Sequence, residues 1–261
     1  MKTEIIYVIS PDYVHFLRIS LDSLLRSGSR FDAIKIFCVS EKAPDWKISD
    51  PRISVIPVPD LCPEYFLFNK IHMINSSAER VVFLDADTLV LRPIENVFEN
   101  SGKDFLARVT NPYMRPAWNT AAWQKACAAV NAAVGPYFNS GFVIFQNSSH
   151  RKLDTLWPDV LRGGMNKSLY DAAALHVNPK YHDQRYLEQL SLSLAAAAAG
   201  LSWQEMKPTD HSYSWSQEPW TSATVYHTAS PKFLYWAETI YRERGLSHQF
   251  DALIGQPNLF P

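Results

Sequence analysis

The chain has 261 residues, 47% apolar and 20% charged, the usage of a globular protein with a sizeable core, which excludes a disordered or fibrous chain. Its 25 Lys and Arg stand against 26 Asp and Glu, a net charge of −1, so it carries no general field for a polyanion and does not read as a nucleic-acid binder. Three cysteines, Cys38, Cys62 and Cys127, show no CxxC spacing, and an odd count fits a reducing, cytoplasmic compartment better than a disulfide framework.

Thr3–Ser10 is rich in Ile and Val and stops at Pro11-Asp12. It reads as a buried strand, and the apolar run is too short for a signal peptide. Val14, Leu17, Leu21 and Leu24 recur at spacings of three and four, which predicts an amphipathic helix that Gly28 can cap. Strands follow at Ala33–Val39, Ile53–Pro57 and Arg80–Leu84, with a helix around Glu64–Asn75 between the last two. That order predicts a parallel α/β sheet with crossovers. Further on, the pattern predicts a strand at Asp104–Val109, an alanine-rich helix at Thr120–Val134 and a strand at Phe142–Phe145 entered by a turn at Asn139-Ser140-Gly141. A helix at Gln184–Ala198, a strand ending at Thr224–His227 and a helix from Lys232 complete the reading. The apolar stretch Leu190–Leu201 is well short of a membrane span. No repeat, charge block or Gly/Ser linker divides the chain, which reads as one domain over 1–261.

The sharpest feature is VVFLDADTLV at 81–90. A buried strand delivers Asp85 and Asp87 at its carboxyl end, the edge at which open α/β sheets bind ligands. Two oxygen donors at this spacing can share a divalent cation that also takes phosphate oxygens; a pair of Asp alone would also suit a solvated turn, but the apolar run feeding directly into the pair favours a metal site. In the Asn139-Ser140-Gly141 segment, polar side chains stand beside a glycine that lets backbone come close to a ligand. Asp183-Gln184 opens a helix, where Asp183 would also serve as an N-cap. His227 ends a strand and could complete a metal site begun by the two aspartates, with Lys232 five residues on.

Taken in order, these segments resemble glycosyltransferase family 8 of the GT-A fold, the group that contains glycogenin and bacterial lipopolysaccharide galactosyl- and glucosyltransferases. The resemblance runs over about residues 3–235: Pro11-Asp12-Tyr13 after the first strand, Lys70 in FNKIHMI, then VVFLDADTLV, FNSGFVIF, DQRYLEQL and a late His followed by Lys. The late motif departs from the family's. HTASPKFLYW is one residue shorter, carries Ser230 where a Gly is usual, and has Trp236 further on than the family's Pro-Trp pair.

The resemblance implies a Rossmann-like nucleotide-diphospho-sugar transferase with a mixed, mostly parallel sheet flanked by helices. Residues 1–100 would form the nucleotide-binding half, and 101–261 the acceptor side with a C-terminal helix. It further implies a UDP-sugar donor, Mn2+ or Mg2+ as cofactor, and retention of anomeric configuration by front-face attack. Asp85, Asp87 and His227 would hold the metal. Tyr13, Asp12, Lys70, Asp85 and Lys232 would bind the donor, and Asn139, Asp183 and Gln184 the sugar and acceptor hydroxyls. The expected acceptor is a glycan, a lipid-linked sugar or a protein. The aromatic and basic tail after Phe233 could rest on a membrane surface or simply dock as a helix. Two other readings stay open on sequence: an inert nucleotide-sugar or glycan binder that kept the fold, and a haloacid-dehalogenase-type phosphatase suggested by DADTL. The latter lacks an evident late acidic pair, and Leu89 replaces its usual Thr or Val.

Overall fold

A computed structural model describes residues 1–42, 44–109, 120–165, 187–216, 218–228 and 230–255. The first strand, β1 (Thr3–Ile9), is buried along its whole length. It is followed by α1 (Val14–Arg26), β2 (Ala33–Val39) and β3 (Ile53–Val58). Gly28, just past α1, takes a φ of +79°, the left-handed conformation that ends a helix without a Cβ penalty. The segment expected to be helical around Glu64–Asn75 is a 3-10 stretch, Phe66–Ile74, leading into β4 (Arg80–Leu84). Next come β5 (Thr88–Val90), the short α2 (Glu95–Phe98), β6 (Phe105–Val109) and α3 (Thr120–Ala129), which stops before the expected Val134.

The strand after α3 is longer than expected. β7 spans Phe138–Phe145, so Asn139, Ser140 and Gly141 lie in the sheet and not in a turn before it. Then follow α4 (Leu156–Met165), α5 (Leu187–Ala198), β8 (Trp203–Glu205), β9 (His211–Tyr213), β10 (Val225–His227), α6 (Phe233–Glu243) and α7 (Ser247–Gly255).

Among the described residues the main sheet has the order β3-β2-β1-β4-β7-β6-β8. Pairs β1–β2, β1–β4, β2–β3 and β6–β8 are parallel, while β7 runs antiparallel to both β4 and β6. The sheet is therefore mixed and mostly parallel. Alternation along β1 feeds both faces: Ile6 and Val8 pack on the side that also holds Trp157, Leu190 and Leu194, while Ile5, Tyr7 and Ile9 meet Leu17, Leu21 and Leu24 of α1. Near-continuous burial of β1, β4 and β7, at the middle of the sheet, is what a sheet covered on both faces requires.

The strands β5, β10 and β9 form a second, small sheet. Its Leu89 and Tyr226 join Phe16 and Ile19 of α1 and Phe233, Ala237, Ile240 and Tyr241 of α6 in a third core. The C-terminal segment is thus a docked helix pair, fixed where the Tyr241 hydroxyl donates to Asp22 Oδ2 at 2.7 Å and Gln249 Nε2 donates to Asp22 Oδ1 at 2.9 Å. Leu234 and Tyr235 of α6 remain exposed. No helix among the described residues is long and apolar enough to cross a membrane.

One buried charge anchors the start of β1. Glu4 pairs with Lys2 and Lys35, each at 2.8 Å, and accepts a hydrogen bond from Ser76 at 2.6 Å. Burial pushes its carboxyl up, but the two lysines and the hydroxyl outweigh this and hold it at about 2, below the ordinary 4.5. Because the folded pKa is depressed, the stabilisation is complete above about pH 4.5 and is lost as pH falls toward about 2. Glu4→Gln should therefore destabilise the fold by about 1–3 kcal/mol at pH 7 and flatten the pH dependence of its urea midpoint between those limits. An unchanged slope with pH would contradict this assignment.

Candidate metal and donor site

β4 sits at the centre of the main sheet, and its chain leaves the carboxyl edge at Asp85. The Asp85 N–H donates to Gly141 O at 2.8 Å. The Thr88 hydroxyl and N–H close the turn by donating to Asp85 O at 2.7 and 3.2 Å. Thr88 then begins β5, which pairs antiparallel with β10 so that His227 lies opposite Thr88. The Thr228 N–H donates to Asp87 O at 3.1 Å and fixes the crossing. A residue from the far end of the chain is thereby set beside the DAD turn.

One ligand atom from each of Asp85, Asp87 and His227 lies within 4.8 Å of the others. His227 Nε2 is 3.3 Å from Asp87 Oδ1 and 4.0 Å from Asp85 Oδ2. Two carboxylates and one imidazole form a donor set that suits Mn2+ and related divalent ions, with coordination places left for phosphate oxygens. The backbone is shaped for this approach. A Cβ on Gly141 would stand 2.2 Å from His227 Cε1, 2.6 Å from its Nδ1 and 3.0 Å from Asp85 Oδ2. Glycine is needed at 141 because the His227 ring occupies the space of its missing side chain.

Lys70, in the 3-10 stretch, reaches the same aspartate. Its Nζ lies 2.8 and 2.9 Å from the two Asp85 oxygens, 3.3 Å from Ser140 Oγ and 3.6 Å from Glu188 Oε2. Burial works to lower the Lys70 pKa, but the Asp85 and Glu188 carboxylates outweigh it and raise it, so the amine stays charged. Burial raises the Glu188 carboxyl, against the pull of Lys70.

A cavity of about 140 Å³ opens beside this group, lined by Tyr13, Phe66, Lys70, Asp85 and Asp87 among others. Tyr13 ends the 3-10 turn Pro11–Tyr13 after β1 and keeps 42% of its surface exposed. Asp12 is exposed in the same turn, and Lys232 is exposed in the turn Ser230–Lys232 ahead of α6. Asn139 is buried, its amide donating to Gln189 Oε1 at 2.9 Å and its carbonyl oxygen accepting from the Gly141 N–H at 2.9 Å. Asp183 and Gln184 lie outside the described residues.

Sequence reading missed five residues around the site. Glu188 and Gln189 are on α5, and a charge between Leu187 and Leu190, on the buried face of a helix, was the available signal for Glu188. His211 and Trp215 flank His227. His211 Nε2 is hydrogen-bonded to His227 Nδ1 at 3.3 Å, and the Trp215 ring meets the His227 ring edge-on with centroids 5.3 Å apart. Arg108 is held there by an ion pair with Glu218, donates to His211 O and covers the Tyr213 ring at 4.2 Å. Burial, then the neighbouring His227 and Arg108, push His211 well below the usual imidazole range. A three-residue strand such as β9 offers no periodicity from which this set could be read.

Residues 63–156 match the family described as "Glycosyl transferase family 8", a span that contains Lys70, Asp85, Asp87, Asn139 and Gly141. No curated protein matches the chain in sequence. Among solved structures, an active-site mutant of LgtC is 14% identical with a TM-score of 0.61, over 97% of this chain and 95% of LgtC. The galactosyltransferase LgtC in complex with donor and acceptor sugar analogs is 13% identical with a TM-score of 0.60, over 99% and 97%. The glycosyltransferase GlyE of Streptococcus pneumoniae TIGR4 is 14% identical with a TM-score of 0.57, over 100% of this chain and 65% of GlyE. At these identities the structural likeness establishes the fold, and the family match covers the turn that carries Asp85 and Asp87. Among the described residues the late partner of that turn is a histidine, His227. The chain thus shares the GT-A fold of LgtC and GlyE, and its residues 63–156 are similar to glycosyl transferase family 8.

Proposed function

We propose that the chain works as one domain that transfers a hexose from a nucleotide sugar, UDP-linked, to a glycan, lipid-linked or protein acceptor in the cytoplasm, with retention of anomeric configuration. The observation that carries this reading is the convergence of Asp85, Asp87 and His227 beside the Tyr13–Lys70 cavity at the carboxyl edge of the central strand. Those three side chains would hold Mn2+ or Mg2+, which supplies Lewis-acid stabilisation of the charge that develops on a departing diphosphate.

The protein's own groups divide the remaining work. Tyr13, exposed at the cavity mouth, presents a ring face on which a uracil can stack, with Asp12 beside it for base or ribose. Lys70 supplies a buried positive charge for the donor, and Lys232 an exposed point charge for the diphosphate. Asn139, Asp183 and Gln184 bind the sugar and acceptor hydroxyls. Among the described residues no carboxylate stands as an evident covalent nucleophile, so attack from the face of departure, with Gln184 acting at the reacting sugar, would account for retention. Exposed Leu234 and Tyr235 on α6 offer a peripheral contact for a membrane that bears a lipid-linked acceptor.

A thermal-shift screen tests the donor assignment. UDP with Mn2+ should raise the melting temperature through mass action, by the equivalent of about 2.7 kcal/mol at a hundredfold excess over Kd, and EDTA should abolish the rise. No shift with any nucleotide would contradict it. Asp85→Ala and Asp87→Ala should each lower transfer at least about a hundredfold with the fold retained, and wild-type rates in either would sink the metal site. Gly141→Ala should displace the His227 ring and weaken Mn2+ binding, while circular dichroism stays native. Unaltered Mn2+ affinity in that variant would show that His227 does not touch the ion.

A further inference from the structure

His211 does no work in the reading above, yet it is wholly buried and joined to His227. β9 and β10 run parallel, and the small sheet stacks the two rings side by side at its core. The ring planes lie 11° apart, and His211 Nε2 faces His227 Nδ1 at 3.3 Å. The other nitrogen of His227, Nε2, is the one turned to Asp87 Oδ1 at 3.3 Å and Asp85 Oδ2 at 4.0 Å.

This orientation fixes where the protons must be. An imidazole nitrogen binds a metal only with a bare lone pair, so a neutral His227 that ligates through Nε2 must carry its proton on Nδ1. A buried Nδ1–H needs an acceptor, and His211 Nε2 stands in the place of one. His211, when neutral, then carries its own proton on Nδ1. That atom is buried without a hydrogen-bond partner in the structure, on a ring that meets those of Phe142 and Tyr213 edge-on. A residue present only to fill space would be apolar there and would leave no such atom. We propose that His211 is a positioning residue: its Nε2 accepts from His227 Nδ1–H and so holds the His227 ring in the tautomer and orientation that leave Nε2 bare toward Asp85 and Asp87. This inference rests on the metal reading given above.

The test compares Mn2+ binding, read by electron paramagnetic resonance with Mn2+ alone and with UDP added, in the wild-type chain, His211→Phe and His211→Gln. His211→Phe keeps a ring against Phe142 and Tyr213 but removes the acceptor, whereas the Gln side chain can still accept. The Phe variant should bind Mn2+ about 10–100-fold more weakly with a native circular dichroism spectrum, and the Gln variant should recover most of the loss. A folded Phe variant with wild-type affinity would overturn the inference alone. A wild-type chain that binds no Mn2+ under either condition would overturn the metal reading, and this inference with it. Should the Phe variant fail to fold, nitrogen-15 spectra of the wild-type chain loaded with diamagnetic Cd2+ decide. A through-hydrogen-bond coupling between the rings, with the proton on His227 Nδ1, is expected. Its absence, or a proton on His211 Nε2, would overturn the proposal.

Discussion

The site depends on one steric constraint: residue 141 must have no side chain. β4 and β7 are hydrogen-bonded neighbours, and the backbone of residue 141 accepts the Asp85 N–H, so the two positions cannot move apart without breaking the end of the ladder. The His227 ring fills the space above that backbone, where a Cβ would be 2.2 Å from its Cε1. From this contact follow the short distances to Asp85 and Asp87 and the need for a second sheet. That small sheet is the device that returns the chain from the far C-terminal part to the DAD turn, by pairing His227 with Thr88.

A second constraint is electrostatic. Two carboxylates set close together beside a half-buried cavity repel one another, and the repulsion must be met by a cation. Lys70 meets it through Asp85 and is itself held by Glu188 from α5. The Glu188 carboxyl is buried, with one oxygen lacking a hydrogen-bond partner, so its attraction to Lys70 acts in a medium of low dielectric. Elements on both sides of the sheet edge thus converge on Asp85. An added divalent ion would enter a place already negative and already shaped, which is how a metal site is preorganised.

Much of this was legible in the sequence because it follows from local patterns. The apolar runs of β1, β2 and β4 announce a buried sheet, and the two aspartates after β4 announce its ligand edge. The late histidine was legible as a candidate despite its shortened motif, since it closes a strand and the structure brings it to the aspartates. Other features are set by pairing between distant segments and left no local trace. The Asn139–Gly141 segment reads as a turn from its small polar residues, yet antiparallel pairing with β4 and β6 draws it into β7. The three-residue strands β5 and β9 are too short for a period-two signal, and with them His211 was hidden. Gly141 was read as room for a ligand, and the structure shows that the room is taken by a side chain of the protein itself.

The central claim is that Asp85, Asp87 and His227 act together on one divalent ion that faces the donor. A crystal structure of the chain soaked with Mn2+ and UDP tests it most directly. The account predicts a single Mn2+ with Asp85 and Asp87 oxygens and His227 Nε2 each at about 2.0–2.3 Å, and diphosphate oxygens completing the shell. An ion held by the aspartates and water alone, with both His227 ring nitrogens well beyond about 2.5 Å, would contradict it.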